Sequence, residues 1–284
     1  MNLTDPKTVR RLLQETGFSF KKQLGQNFLI DPSVCPAMAA AAVKDCGNIL
    51  EIGPGAGVLT VELAARAQRV VAVELDTALR PVLEKTAGGF PNTQVIYGDC
   101  MQLDLHRLIE EQFGGGPVTV CANLPYYITS PVLMRLLETQ LPLVSIIVMV
   151  QKEAAARLCA PVSSRAAGAV TVAVAYRAKA EQLLQVPRES FLPAPKVDST
   201  VIRLSVLPCP PVQVADEALL FRLVRAGFMQ RRKTFVNAAG NLSGITKDTL
   251  RAAVSAAGQQ ENARAEALTM QQWAAISNYI AREL

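Results

Sequence analysis

Between Asn48 and Val150 short apolar runs alternate with helical stretches, and this rhythm constrains the fold more than any other feature of the chain. The runs are Ile49–Ile52, Val70–Glu74, Val95–Tyr97, Val118–Ala122 and Ser145–Val150. Between them lie Leu59–Ala67, Leu79–Thr86, Leu105–Gln112 and Pro131–Thr139. Short continuous apolar runs, each followed by one helix, predict parallel strands covered on both faces. Gln182–Val186 and Thr200–Val206 predict two further strands, a terminal pair joined through the proline-rich segment Phe191–Lys196. The expected fold class is α/β, with a Rossmann-like sheet.

The flanks read differently. Asp5-Pro6 is a helix start, aspartate as N-cap and proline in the first turn, with Val9, Leu12 and Leu13 on one face and Gly17 closing it. A basic loop follows, and Asp31-Pro32 repeats the start signal for a second helix running to about Cys46. At the other end, Leu207-Pro-Cys-Pro-Pro-Val212 cannot continue a helix or a central strand. Beyond it Asp216–Phe228, Thr234–Asn241, Lys247–Ala257 and Met270–Glu283 have helical periodicity and caps. The expected organisation is a sheet domain over 1–207, with an N-terminal helical and basic arm at 1–47, and a small all-helical domain over 213–284.

Composition removes several classes. Of 284 residues 50% are apolar and 19% charged, which is ordinary for a soluble folded protein with a real core. The longest apolar stretch, Leu141–Val150, is about half the roughly 20 residues a membrane span needs, and the charged N-terminus is not a signal peptide, so no membrane partner and a cytoplasmic location are expected. The 6 cysteines form no Cys-x-x-Cys pair, which favours reduced, mostly buried thiols. A single histidine, His106, excludes sites built on two imidazoles; it is expected on a helix surface, and no metal is expected. The net charge of +5 is concentrated at the two ends of the chain, a distribution suited to a polyanion.

Chemistry-bearing residues recur where strands end. Gly53, Gly55 and Gly57, in Glu51-Ile-Gly-Pro-Gly-Ala-Gly57, turn the first strand into the first helix and allow close approach of a ligand. The third glycine falls one residue earlier than in dinucleotide binders, which disfavours the competing reading as a nicotinamide-dependent oxidoreductase. No Gly-Lys-Ser/Thr follows, so this is no P-loop. A turn that need not cradle a pyrophosphate fits an amino-acid-bearing nucleoside such as S-adenosylmethionine. Glu74 ends the second strand, where a carboxylate can meet ribose hydroxyls, and Asp99 ends the third, where it can accept from an adenine amino group. Either could instead be an ordinary N-cap; three successive strand ends of this kind point to one carboxyl edge.

The fourth strand ends in Asn123-Leu-Pro-Tyr126. An exocyclic amine on a purine is a poor nucleophile because its lone pair is delocalised into the ring. It needs acceptors that hold its N–H groups rather than a strong base. The Asn123 side-chain oxygen and the Leu124 carbonyl can accept both, Pro125 stiffens the loop, and Tyr126 offers a stacking face. Phe191 is expected to cover the other face of an extruded base, the alternative being core packing beside its prolines. Arg231, Arg232 and Lys233, with Lys21 and Lys22, are the candidate phosphate contacts, the alternative for Arg231–Lys233 being a simple exposed helix end.

Taken in order, Gln26-Asn-Phe-Leu29, Glu51–Gly57, Val73-Glu-Leu-Asp76, Gly98-Asp99, Asn123–Tyr126, Phe191-Leu-Pro-Ala-Pro-Lys-Val-Asp-Ser199 and Gly227–Thr234 resemble the KsgA-type ribosomal RNA adenine dimethyltransferases, a family that includes the erythromycin-resistance methylases. The resemblance covers nearly the whole chain. It implies a class I methyltransferase sheet and S-adenosylmethionine as cofactor, held through Gln26, Asn27, Leu29, Gly53, Gly55, Glu74, Asp99 and Asn123. It further implies dimethylation of N6 on two adjacent adenosines near the 3′ end of small-subunit ribosomal RNA, by a monomer acting on a 30S precursor particle. A large-subunit methylase of the macrolide-resistance type and a non-catalytic RNA-binding assembly factor are the alternatives. Residues 160–181 depart from the family pattern in being alanine-rich, and Phe235-Val-Asn-Ala-Ala-Gly240 replaces a more leucine-rich run.

Overall fold

Asp5 accepts hydrogen bonds from the Lys7 and Thr8 amides and so starts α1 (Pro6–Glu15), which buries Val9, Leu12 and Leu13. The computed structural model describes residues 1–18 and 27–284. After β1 (Phe28–Leu29) comes α2 (Val34–Asp45). Asp31 does not cap α2 as expected: it accepts from the Ser33 amide and hydroxyl at 2.9 and 2.6 Å, closing a local turn instead.

The alternating segment forms β2 (Asn48–Ile52), α3 (Val58–Ala64), β3 (Arg69–Glu74), α4 (Arg80–Thr86), β4 (Thr93–Tyr97), α5 (Leu105–Phe113), β5 (Val118–Asn123), α6 (Tyr126–Glu138) and β6 (Leu143–Gln151). Then follow α7 (Lys152–Leu158), α8 (Ala169–Arg177), β7 (Ala178–Val186), β8 (Phe191–Leu192) and β9 (Ser199–Val206). The sheet order is β4-β3-β2-β5-β6-β9-β7. Strands β2 to β6 pair in parallel, whereas β9 runs antiparallel to β6. Val70, Val71, Val120, Ile146 and Ile147 are all wholly buried, as strands covered on both faces require. The strand order reverses between β2 and β5, and at such a switch point an open parallel sheet leaves a crevice beyond its carboxyl ends.

Two expectations shift. The helix placed at Pro131 begins five residues earlier, at Tyr126, and Pro131 lies inside it. The proline withholds an amide from the Tyr127 carbonyl, which sits in an exposed first turn where water can serve it. β7 and β9 are neighbours as expected, but the link between them carries β8, which pairs antiparallel with β1.

The chain divides into a sheet unit, Met1–Ala155 with Glu181–Val206, and a helical unit, Ala156–Ala180 with Leu207–Leu284. The expected boundary at 207–212 is thus one of three chain crossings. The alanine-rich segment joins the helical unit because α8 buries Val172, Val174 and Tyr176. Tyr176 meets Phe221 edge-on at 5.5 Å and donates to Glu217 at 2.9 Å. The rest of that unit is α9 (Glu217–Met229), α10 (Phe235–Ala239), α11 (Lys247–Ala256) and α12 (Met270–Glu283), capped by Asp216, Thr234, Thr246 and Thr269. Its core is Trp273, fully buried with Phe235 edge-on at 5.2 Å.

The cysteines are all free, but only Cys35 and Cys121 are buried; Cys46, Cys100 and Cys159 are half-buried and Cys209 is exposed. His106 lies exposed on α5. Among the described residues no helix is long and apolar enough to cross a membrane.

Candidate active site

The crevice at the switch point is a cavity of about 340 Å³ lined entirely by the sheet unit. Ligand sites commonly occupy about 300–1,000 Å³. Of the residues expected to hold cofactor or target, Asn27, Leu29, Gly53, Gly55, Glu74, Asp99, Asn123, Leu124, Pro125, Tyr126 and Phe191 all line it. Gln26, Lys21 and Lys22 lie outside the described residues.

The glycine turn is set by backbone conformation. Gly55 at φ +59° and Gly57 at φ +87° occupy the left-handed region, which side chains disfavour. At Gly57 a Cβ would also stand 2.6 Å from the Thr86 hydroxyl. The turn is tied to the next strand: the Gly55 amide donates to Glu74 Oε2 at 3.1 Å and the Asp76 amide to Oε1 at 2.8 Å. Glu74 is almost wholly buried, and burial, the largest influence, raises its pKa above the ordinary value. Asp99 accepts from the Met101 amide at 2.8 Å and the Gln102 side chain at 3.1 Å. Arg135 of α6 steadies this turn by donating to the Met101 carbonyl and, at 2.6 Å, to that of Leu103.

Asn123 is the last residue of β5, opposite Met149 of β6, and Pro125 is the N-cap of α6. The Asn123 amide side chain and the Leu124 carbonyl make no hydrogen bond among the described residues, although both residues line the cavity. Tyr126, the first residue of α6, hydrogen-bonds through its hydroxyl to Ser199 at 2.7 Å. Phe191 reaches the cavity because β8 pairs with β1, with Phe191 opposite Leu29.

The sequence reading missed Glu51. It is 1% exposed and lines the cavity, and among the described residues its oxygens make no close hydrogen bond, the Thr60 hydroxyl offering only a weak one. Burial raises its pKa to about 8. The apolar Leu75 and the aromatic Tyr127, exposed by 53% and 58%, also line the cavity. Glu51 and Leu75 lie inside the motifs Glu51–Gly57 and Val73–Asp76 and Tyr127 follows Asn123–Tyr126, and only that placement could have signalled them. Cys35 shares this wall, its thiol pushed well up by burial and inert as a nucleophile.

In the helical unit Arg231, Arg232 and Lys233 are exposed in the turn after α9. Arg231 is engaged internally, 3.0 Å from Glu266 and donating to the Arg165 carbonyl at 2.7 Å. Arg232 and Lys233 make no side-chain ion pair among the described residues.

The largely apolar lining includes three carboxyl residues, Glu51, Glu74 and Asp99, and the Asn123 amide. They match a ligand rich in donors, with ribose hydroxyls, an adenine amine and an ammonium, and S-adenosylmethionine has all three. A parallel sheet presenting such groups at its switch point defines a class, the Rossmann-like class I methyltransferases. A family model described as ribosomal RNA adenine dimethylase matches residues 17–282. The ribosomal RNA small subunit methyltransferase A of Alkaliphilus oremlandii is 44% identical over 285 positions, covering 99% of each chain. That of Geobacillus sp. strain WCH70 is 43% identical over 282 positions, covering 98% of this chain and 97% of the relative. The crystal structure of the 23S rRNA methyltransferase ErmE matches at a TM-score of 0.64 and 25% identity, covering 89% of this chain and 99% of that one. A dimethyladenosine transferase from Plasmodium falciparum shares the fold at a TM-score of 0.68 and 23% identity, covering 87% and 95%. The chain belongs to the ribosomal RNA adenine dimethylase family, and S-adenosylmethionine is its cofactor.

Proposed function

We propose that this chain dimethylates N6 of two adjacent adenosines near the 3′ end of small-subunit ribosomal RNA, acting as a cytoplasmic monomer on a precursor of the 30S particle. The observation that carries this reading is a pair of acceptors, the Asn123 amide and the Leu124 carbonyl, that make no hydrogen bond among the described residues and stand beside Tyr126 and Phe191 at the cavity wall. Membership of the adenine dimethylase family and 44% identity to a small-subunit enzyme support the same reading.

When bound, the cofactor supplies an electrophilic methyl group on a positively charged sulfur. Glu74 accepts from the ribose hydroxyls and Asp99 from the adenine amine of the nucleoside end. The target adenine is extruded from its stack, with Tyr126 and Phe191 against its faces; stacking of this kind is worth about 1–3 kcal/mol per base. The Asn123 oxygen and the Leu124 carbonyl accept the two N–H groups of N6 and turn its lone pair toward the methyl carbon. Holding the reactants in line and excluding water supplies most of the acceleration. Neither acceptor is a strong base, so the proton released from N6 passes to solvent. In the second turnover the remaining N–H keeps one acceptor while the first methyl group takes the place of the other hydrogen.

Arg232 and Lys233, with Arg231 held by Glu266, contact phosphate through the helical unit. The test is to incubate the protein with isotopically labelled cofactor and undermethylated small subunits, then map the product by mass. Two dimethylated adjacent adenosines near the 3′ end are expected; label on large-subunit RNA alone, as the likeness to ErmE allows, or no N6 label, overturns the proposal.

A further inference from the structure

Tyr126 and Ser199 are 73 residues apart in the chain, yet their hydroxyls meet at 2.7 Å. Ser199 opens β9, pairs in register with Gln151 of β6 and is wholly buried. The preceding carbonyl, that of Asp198, accepts from the Lys152 amide at 3.0 Å. The Ser199 hydroxyl is therefore presented by a rigid sheet position and not by a loop. Eight residues upstream, Phe191 is pinned just as firmly: it pairs with Leu29, and the Ser190 carbonyl beside it accepts from the Ile30 amide at 2.8 Å. The Ser190 hydroxyl donates to Asp31 at 3.0 Å. One segment thus carries an aromatic ring of the cavity at its start and the anchor of a second ring at its end.

We infer that Ser199 is a positioning residue, whose hydrogen bond to the Tyr126 hydroxyl fixes the ring plane on which the target base stacks. The inference rests on the methyl-transfer reading of this cavity. With the Tyr126 hydroxyl turned to Ser199, the ring offers its face to the base. Ser199 does not itself line the cavity, so its loss leaves the cofactor's contacts in place. A loosened ring lets the base adopt misaligned poses, which lowers the rate of the bound complex more than it weakens binding.

The experiment compares Ser199→Ala, Tyr126→Phe, the double variant and Ser199→Thr. One neutral hydrogen bond predicts a fall in kcat of about three- to tenfold for each single variant, with cofactor affinity unchanged. The double variant falls no further than either single one, since both remove the same bond. Ser199→Thr, which keeps the hydroxyl, retains most of the wild-type kcat. In the same proteins the ¹³C resonance of Tyr126 Cζ shifts in Ser199→Ala and stays near its wild-type place in Ser199→Thr. Additive losses, a wild-type kcat in folded Ser199→Ala, or an unmoved Cζ resonance overturns the inference. If Ser199→Ala does not fold, Tyr126→Phe and Ser199→Thr decide it, because the first must lose activity and the second must keep it. A wild-type protein that methylates no adenosine sinks the functional reading instead, and the Cζ resonance still decides whether Ser199 holds the tyrosine.

Discussion

The amide of Gly55 donates to the Glu74 carboxylate across 3.1 Å, joining the turn after β2 to the end of β3. The same carboxylate, through its other oxygen, holds the Asp76 amide at 2.8 Å. Glu74 therefore shapes the glycine turn, and this contact is lost together with its proposed contact to the cofactor when it is changed.

Glu74→Ala should weaken S-adenosylmethionine binding by about tenfold to a hundredfold, the range expected when a hydrogen-bond acceptor carrying charge is removed. Isothermal calorimetry with the cofactor measures this directly. An unaltered affinity would remove Glu74 from the ligand's contacts.

Asn123→Ala removes one of the two acceptors proposed for N6 and leaves the glycine turn and both strand-end acids in place. Turnover on ribosomal RNA should fall by about a hundredfold or more, by analogy with deletion of one preorganised polar group at a reacting centre. Cofactor affinity should change by less than about tenfold, which separates a role in transfer from a role in binding.

Glu51 carries the clearest pH signature. Burial raises its acid from 4.5 to about 8, so between those values the folded protein holds a proton that the unfolded chain has released. Its contribution to stability is complete below the unfolded value and is lost as pH rises through the folded one. Glu51→Gln abolishes this titration. Relative to wild type without cofactor, the variant should gain stability with rising pH, by up to about 1.4 kcal/mol per pH unit. Urea titrations at pH values on either side of this window test it; parallel profiles for the two proteins would mean that Glu51 is ionised throughout.

Gly57→Ala should destabilise the sheet unit by about 1–3 kcal/mol, because it forces a left-handed conformation on a residue with a side chain. The added Cβ also meets the Thr86 hydroxyl at 2.6 Å. Chemical denaturation reports the loss. Thr86→Ala in the same background should recover only the steric part.

Removing two exposed cations after α9, Arg232→Ala with Lys233→Ala, should flatten the salt dependence of RNA binding. Each phosphate contact contributes a slope of about 0.7–0.9 in log K against log salt, so the double variant should lose about 1.5. Arg231→Ala should also disturb the packing of its turn, since that guanidinium is held by Glu266 and the Arg165 carbonyl. A salt slope identical to wild type in the double variant would move the RNA contact elsewhere.

Much of the sheet was legible because its signals are local. Val70–Glu74 and Val118–Ala122 are apolar enough to need cover on both faces, and the helices between them supply it. Residues at the ends of parallel strands must share one edge, so Gly53, Glu74, Asp99 and Asn123 group together from the sequence alone. Other features escaped. Asp31-Pro32 looks like a helix start, but the Ser33 side chain and amide claim the carboxylate. Arg231 looks like a free cation, but a glutamate 35 residues downstream pairs with it. The alanine-rich 160–181 segment shows no boundary of its own; α8 belongs with the helical unit because Tyr176 finds Phe221 and Glu217 there.

Strand and helix periodicity, and the order in which ligand-type residues meet the carboxyl edge, follow from neighbours in the chain, since backbone hydrogen bonding and side-chain alternation act over a few residues. The pairing of Tyr126 with Ser199, the burial of Glu51 and the seating of Phe191 against Leu29 were decided by packing alone. Each depends on residues far apart in sequence being forced together when apolar surface leaves water, and no local pattern encodes which of them will meet.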